Sequence, residues 1–388
     1  LKKALLQKLF PVNGEGIPTV RFATFKEEWE QRELKEILKV NSGRDYKHLG
    51  SGSIPVYGTG GYMLSVNDKL SDKDAIGIGR KGTIDKPQYL KAPFWTVDTL
   101  FFMIPLNNFD LQFLYTMTQK INWKKMDEST GVPSLSKAVI EKVNQNIPSY
   151  QEQIKIGGFF KQLDNTIALH QQKQRQIRSL KQGFIKNLFP NNKNSAPRIR
   201  FSIFNDDWNQ RNASEIFTSV SDKNYPELPV LSASQEKGMV LRESNGIDIK
   251  YDQKSTGTYK RVLPGQFVMH LRSFQGGFAY STIEGITSPA YTILAFRNKE
   301  DHYPLFWKSI FSSKNFIKRL EAITYGIRDG RSISYADFST LRFWIPSYEE
   351  QKQIGDFIES IDATIAFYQR QIDMMQSLKK ELLNKMFI

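Results

Sequence analysis

Residues 148–189 read PSYQEQIKIGGFFKQLDNTIALHQQKQRQIRSLKQGFIKNLF, and residues 346–387 read PSYEEQKQIGDFIESIDATIAFYQRQIDMMQSLKKELLNKMF. They align without a gap, and 17 of 42 positions are identical, far more than two arbitrary segments share. Apolar residues in the second copy (Ile354, Ile358, Ile361, Ile365, Tyr368, Ile372, Met375, Leu382, Met386) fall mostly three or four apart. Ile156, Phe160, Leu163, Ile167, His170, Gln174, Ile177, Phe184 and Leu188 hold the same steps in the first. That period predicts two long helices with a coiled-coil seam. Pro148 and Pro346, each followed by Ser, mark where they begin. A helix of ~39 residues is roughly 58 Å long at 1.5 Å per residue. Two of them on one chain, joined through a globular segment, most simply pack antiparallel. The helix-pairing positions expected are Ile156, Phe160, Leu163, Ile167, Ile177, Ile354, Ile358, Ile361, Ile365 and Ile372, with His170 and Gln174 as polar residues that set the register.

A second correspondence joins the starts of the repeated units. Pro18, Arg21, Phe22, Phe25, Trp29, Gln31 and Arg32 recur 179 residues later as Pro197, Arg200, Phe201, Phe204, Trp208, Gln210 and Arg211. The same offset lays LKKALLQKLFP (1–11) over LKQGFIKNLFP (180–190), and LKKELLNKMF (378–387) is a third copy of that piece. The frame therefore repeats with pseudo-twofold character, and the two segments it carries differ almost completely in sequence. The reading is an α+β chain: a partial helix repeat (1–17), a mainly-β domain (18–147), a long spacer helix (148–190), a second mainly-β domain (191–345) and a second spacer helix (346–388).

Composition narrows the function classes. The 388 residues carry 54 Lys+Arg against 40 Asp+Glu, a formal net charge of +14 that favours a polyanionic partner. The excess is spread along the chain rather than gathered in a tail, so a nucleic-acid surface has to be assembled by folding. With no cysteine, disulfides and thiolate metal sites are excluded and a cytoplasmic, reducing setting is expected. The four histidines (His48, His170, His270, His302) lack the i+3 to i+5 spacing of a zinc site. No apolar run approaches the ~18 residues of a membrane span, and Leu1–Leu6 is too short for a signal peptide.

The inserts read as short strands between glycine-rich turns: Ile54–Tyr62, Ala75–Ile84 and Phe94–Phe102 in the first, Leu228–Gln235, Tyr259–Val268 and Met269–Ala279 in the second. Glycine beside Arg or Lys lets a backbone approach phosphate while the cation neutralises it. Arg and Gln are also the side chains shaped to read guanine and adenine edges bidentately. Gly79-Arg80-Lys81-Gly82 and Arg272-Ser273-Phe274-Gln275-Gly276-Gly277 are thus the leading groove readers, against the alternative of solvated turns with incidental charge. Loops 129–136 and 325–334 close the inserts, and their hydroxyls suit phosphate contact or capping equally. The full set of DNA-contact candidates is Tyr57, Thr59, Arg80, Lys81, Thr83, Lys86 and Ser134 in the first insert. In the second it is Ser234, Gln235, Tyr259, Lys260, Arg272, Ser273, Gln275, Arg328 and Arg331.

The chain resembles the DNA-specificity subunits of Type I restriction–modification systems over nearly its whole length. The resemblance rests on the Arg-Phe-x-x-Phe-x-x-x-Trp openings (Arg21 to Trp29, Arg200 to Trp208), the Ile-Pro-Ser-Tyr exits (Ile147 to Tyr150, Ile345 to Tyr348) and the duplicated helices. It implies that each β-rich insert is a target-recognition domain reading half of a split DNA site in the major groove, with the helices setting the unread spacer. It further implies docking of two adenine-methylating modification subunits that hold S-adenosylmethionine. Restriction subunits would add ATP- and Mg-dependent translocation and cleavage, and this chain itself would bind no cofactor or metal and carry no catalytic residue. Since the inserts differ, the site should be asymmetric, with half-sites about one helical turn apart, roughly 34 Å.

A self-contained methyltransferase or nuclease is the competing class. No Pro-Pro dipeptide occurs, so the Asn/Asp-Pro-Pro-Tyr/Phe motif of amino-methyltransferases is missing. The nearest nuclease-like spacing, Asp248-Ile249-Lys250, arises readily by chance in a charged chain, and no G-x-x-x-x-G-K-[ST] phosphate loop is present. A bivalent coiled-coil scaffold for acidic proteins would use the helices but leaves the paired, divergent basic inserts unexplained.

Overall fold

The computed structural model describes residues 18, 20–190, 196–234, 237–245, 253–270, 273, 277–323 and 333–387. The chain folds as two compact units: residues 1–172 with 369–388, and residues 173–368.

In the first unit, strand Glu30–Glu33 pairs antiparallel with Asn144–Ile147, so the start and end of the domain are stitched together (Glu30 opposite Ile147). A single helical turn, Leu34–Ile37, follows, closed by a capping box between Glu33 and Glu36. It hands the chain to a four-stranded antiparallel sheet in the order Leu38–Ser42, Leu100–Pro105, Ala75–Gly79, Gln88–Leu90. A three-stranded sheet (Gly61–Val66, Ser51–Gly58, Trp95–Thr96) stands beside it. Ile76, Ile78 and Met103 of the larger sheet pack against Phe113, Leu114 and Met117 of helix Leu111–Thr118, whose N-cap Asp110 accepts from Phe113 N at 2.8 Å.

The second unit repeats this plan with other residues. Strand Asn209–Asn212 pairs with Arg342–Ile345, and helix Ala213–Ile216 is closed by an Asn212/Glu215 capping box. The four-stranded sheet runs Phe217–Val220, Thr292–Phe296, Phe267–Met269, Ala279–Tyr280, which is the same strand order as in the first unit. The inserts, unrelated in sequence, therefore share the strand order of their four-stranded sheets, while among the described residues the first adds one three-stranded sheet and the second two two-stranded ones. Strand order follows the apolar alternation and the fixed points where the frame releases and recaptures the chain, not residue identity.

Both long helices are continuous, Tyr150–Leu188 and Tyr348–Met386, and each unit contains a section of both, running antiparallel. In the first unit Lys379 Nζ meets Asp164 at 2.7 Å, and Phe160 lies 5.9 Å from Phe387. In the second, Lys181 Nζ meets Asp362 at 2.5 Å and the buried Gln174 donates Nε2–H to Ile365 O at 3.3 Å. Ile167 and Ile372 are buried in the first unit and Ile365 in the second, while Leu163, Ile177 and Ile361 are half-buried. Four of the expected helix-pairing residues also serve a domain core. Ile156 and Phe160 join the Trp29–Phe113 core, and Ile354 and Ile358 join the Trp208–Phe306 core. The first turns of each helix form the floor of a domain rather than a free rod, because the preceding strand turns directly into them at Pro148 and Pro346.

The repeated frame residues explain their own repetition. Arg21 clamps Glu152 through Nε and Nη2, both at 2.7 Å, and Arg200 clamps Glu350 in the same fork at 2.8 Å. Gln153 accepts from Asp110 N at 3.0 Å and donates to Pro148 O at 2.9 Å; Gln351 accepts from Tyr303 N at 3.1 Å and donates to Pro346 O at 3.2 Å. Gly157 and Gly355 are required by close approach. A Cβ on Gly157 would lie 2.5 Å from Asp110 Oδ1, and one on Gly355 2.8 Å from Phe306 N, where a domain helix begins against the long helix.

Candidate nucleic-acid interface

In the first unit the Gly79–Gly82 turn extends the central strand Ala75–Gly79 and is held by backbone alone. Arg80 N donates to Thr99 O at 2.7 Å, Leu135 N to Arg80 O at 2.9 Å, and Gly82 N to Pro133 O at 2.8 Å. A Cβ on Gly79 would lie 2.0 Å from Thr83 O, and Gly82 has φ +87°, so both glycines are needed to form the turn. With the backbone satisfied locally, the Arg80 and Lys81 side chains project into solvent, and so does Lys86. The Arg80 guanidinium lies over the Phe101 ring at 5.8 Å, and among the described residues no carboxylate pairs with Arg80, Lys81 or Lys86. Unneutralised cations on a rigid turn suit a polyanion, because their ordering cost is partly met beforehand.

Beside this turn lies a cleft of about 630 Å³, lined by Tyr46, Lys47, Thr59, Tyr62, Met63 and Thr99 among others. Thr59 is its link to the turn, with Oγ1 3.9 Å from where a Gly82 Cβ would stand. The hairpin tip between Ser51–Gly58 and Gly61–Val66 is pinned by Gln88 Nε2, which donates to Gly58 O at 2.9 Å and Thr59 O at 3.1 Å. Tyr57 is half-buried and meets Tyr62 edge-on at 6.5 Å, leaving Tyr62 63% exposed. Arg80, Lys81, Thr59 and Tyr57 are thus gathered on one edge. Lys47, Tyr62 and Met63 line the adjoining cleft and were not among the candidates, since no sequence motif marks a single loop or hairpin residue. A signal existed in Tyr62-Met63 directly after Gly60-Gly61, two large side chains at a turn. Asp45 and Asp98 also line the cleft beside Lys47, so its charge is mixed.

Thr83, next to the turn, is half-buried like Tyr57 and Thr59. Ser134 donates its backbone N–H to Asp127 Oδ1 at 2.9 Å, and Ser129 donates to the same oxygen through N and Oγ. These bonds, that from Ser134 foremost, hold the Asp127 carboxyl below the usual carboxylate range. Ser136 caps helix Lys137–Glu141. For Ser129 and Ser136 in loop 129–136 the capping alternative holds, while Ser134 braces the Arg80 turn from below.

In the second unit two candidates are engaged within the fold. Ser273 is 0% exposed and its Oγ accepts from His270 N at 2.8 Å, a buried turn bond that leaves nothing to offer DNA. Lys260 is half-buried, donates Nζ–H to Tyr291 O at 2.7 Å, and has its pKa pushed down by burial and by Lys223. Ser234 Oγ accepts from Lys237 N at 3.3 Å, a turn cap, and Tyr259 is half-buried at the start of strand Lys260–Val262. Gln235, Arg272, Gln275, Arg328 and Arg331 lie outside the described residues.

No group of His, Cys, Asp and Glu able to hold a metal ion occurs among the described residues. His302 is buried against Phe296 and Trp307, and burial pushes its pKa down to about 4, so it is a neutral core residue rather than an acid–base candidate. No described helix is long and apolar enough to cross a membrane.

Comparison with known proteins agrees with this architecture. Residues 4–179 match the family described as Type I restriction modification DNA specificity domain. The specificity subunit of the Type I restriction enzyme MjaVIII from Methanocaldococcus jannaschii is 22% identical over 298 residues, covering 71% of this chain and 68% of its own. The crystal structure of a Type I restriction–modification S subunit from M. genitalium superposes with a TM-score of 0.65 at 14% identity, covering 96% of this chain and 99% of that one. A chain from a study of Type I restriction–modification complex assembly and conformational transition gives 0.51 at 14% identity, covering 92% and 97%.

Proposed function

We infer that this chain belongs to the DNA specificity subunits of Type I restriction–modification systems and reads a split, asymmetric DNA site with its two β-rich domains. The observation that carries the reading is the frame. Two copies of one clamp hold two domains of the same strand order and different sequence. A shared mount with unlike heads is what two different half-sites on one duplex require, and identical heads would call for a palindrome.

In the first domain, Arg80 and Lys81 are the leading DNA contacts, Arg80 toward a base edge and Lys81 and Lys86 toward phosphates. Thr59, Tyr62 and Lys47 border the same surface. The contacts of the second domain fall to the segments carrying Gln235, Arg272, Gln275, Arg328 and Arg331. Chemistry belongs to partners: two modification subunits that bring S-adenosylmethionine and methylate adenine, and restriction subunits that bring ATP and Mg. Such a complex acts on cytoplasmic DNA.

Methylome sequencing of cells expressing this chain with a modification subunit tests the reading. The expected result is one bipartite motif with unlike halves and a fixed gap. Methylation with no preference among sequences, or a palindromic motif, overturns it.

A further inference from the structure

The sequence holds three copies of one helix tail, and among the described residues two of them are seated against a domain. In the second unit the tail is residues 180–189. Leu188 is buried, Phe189 lies 5.5 Å from Phe306, Phe184 lies 5.0 Å from Phe357, and Asn187 O accepts from Ile199 N at 3.0 Å. Tail and domain start are one continuous stretch there, twelve residues apart from Asn187 to Ile199. In the first unit the same place is filled from the other end of the chain. Met386 and Phe387 are buried, Phe387 stacks on Phe113 at 5.4 Å and meets Trp29 at 6.2 Å, and Lys385 O accepts from Val20 N at 3.0 Å. Val20 and Lys385 occupy the repeat positions of Ile199 and Asn187.

The third copy, Leu1–Phe10, is matched to the first-unit slot in three ways. Lys8 stands twelve residues before Val20, the same spacing that separates Asn187 from Ile199 in the second unit. Seven of its ten residues are identical to 378–387, against four of ten shared with 180–189. It also keeps the lysine that each tail sends to the opposite helix. Lys181 pairs with Asp362 and Lys379 with Asp164, and Lys2 is the corresponding residue of the third copy. We propose that Leu1–Phe10 is an alternative occupant of the Trp29–Phe113–Phe160 slot, able to displace Leu378–Phe387 from it within the same chain. The slot is then an exchange site: with 378–387 seated, the first unit is closed by the C-terminal helix, and with 1–10 seated that helix end is released for another contact.

Three full-length variants test this by hydrogen exchange over residues 20–40 and 111–118. Phe387→Asp should leave protection within about threefold of the parent, because Leu1–Phe10 takes the slot. Phe10→Asp should change nothing, and the double variant should lose protection at least a hundredfold. A Phe387→Asp chain as deprotected as the double variant refutes the exchange. The absence of cysteine permits a second readout. Asn384 O lies 3.5 Å from Lys120 Nζ, and Gln7 is the repeat equivalent of Asn384. In the Phe387→Asp chain, Gln7→Cys with Lys120→Cys should be bridged within one molecule by a short bis-maleimide, at several times the yield seen with Phe387 intact. No bridging, or bridging only between molecules, defeats the same-chain proposal.

Discussion

The two units share a mount and a sheet order, yet their cores are built from different material. The first packs Ile76, Ile78, Met103, Leu114 and Met117. The second packs rings: Phe217 touches Phe267, Phe296, Trp307, Phe311 and Phe338, and Phe343 closes the cluster. What stays constant is the Arg–Glu clamp, the Gln brace and the glycine beneath each domain helix. Architecture in this chain is therefore enforced from the frame, and the heads are free to change composition, and with it surface chemistry, without changing that sheet order.

The strongest way to break that comparison is at the clamp. Glu152 is fully buried, and Arg21 is its charge partner. Arg21→Ala leaves an unpaired buried carboxylate and should cost about 3–5 kcal/mol in the first unit. Arg200→Ala should do the same to the second unit through the buried Glu350. Hydrogen exchange resolved by unit reads both. If each mutation loosens the two units equally, the frame is not two independent mounts.

Acid should separate the units. His302 of the second unit occupies the frame position of Phe109 in the first, one residue before the backbone N–H that the Gln brace captures. Its Nδ1 has no partner among the described residues, and burial pushes its pKa from 6.5 down to about 4. A depressed folded pKa means the unfolded chain binds the proton first. The stability is thus fully present above pH 6.5 and is lost as pH falls toward 4, on the order of 3 kcal/mol for this group. His302→Phe should flatten that part of the second unit's pH profile while the first unit's profile is unchanged. An unaltered slope in the variant would assign the acid sensitivity to other groups.

Much of this was legible beforehand, and the reason differs by layer. The frame announced itself because a clamp used twice leaves its residues twice, as Arg21 and Glu152 do with Arg200 and Glu350. The common sheet order was not legible. It depends on pairing Leu38–Ser42 with Leu100–Pro105 across some sixty residues, and register over that distance is set by packing that no local pattern displays. At the proposed interface, Arg80 and Lys81 stood out in the sequence because glycines flank them, and both are exposed. Ser273 and Lys260 were chosen on side-chain type, which does not reveal burial. Lys47 and Tyr62 were overlooked because proximity to Thr59 and Thr99 arises only after the hairpin folds onto the sheet.

The smallest effects test that last distinction, between cations that face solvent and a cation engaged within the fold. Arg80→Ala should weaken binding to the cognate site by roughly 1–3 kcal/mol and relax discrimination at one position of one half-site. Lys81→Ala should weaken all sequences alike and reduce the slope of log affinity against log salt by about 1. Lys260 carries the same formal charge, yet it is half-buried and its ammonium donates to Tyr291 O. Lys260→Met should therefore leave DNA affinity within about 0.5 kcal/mol of the parent, the range of a substitution away from the contact surface. A salt slope reduced by Lys260→Met as much as by Lys81→Ala would mean that the ammonium leaves Tyr291 to meet a phosphate. The second domain's proposed DNA surface would then include strand Lys260–Val262, whereas an unchanged slope leaves Lys260 outside it.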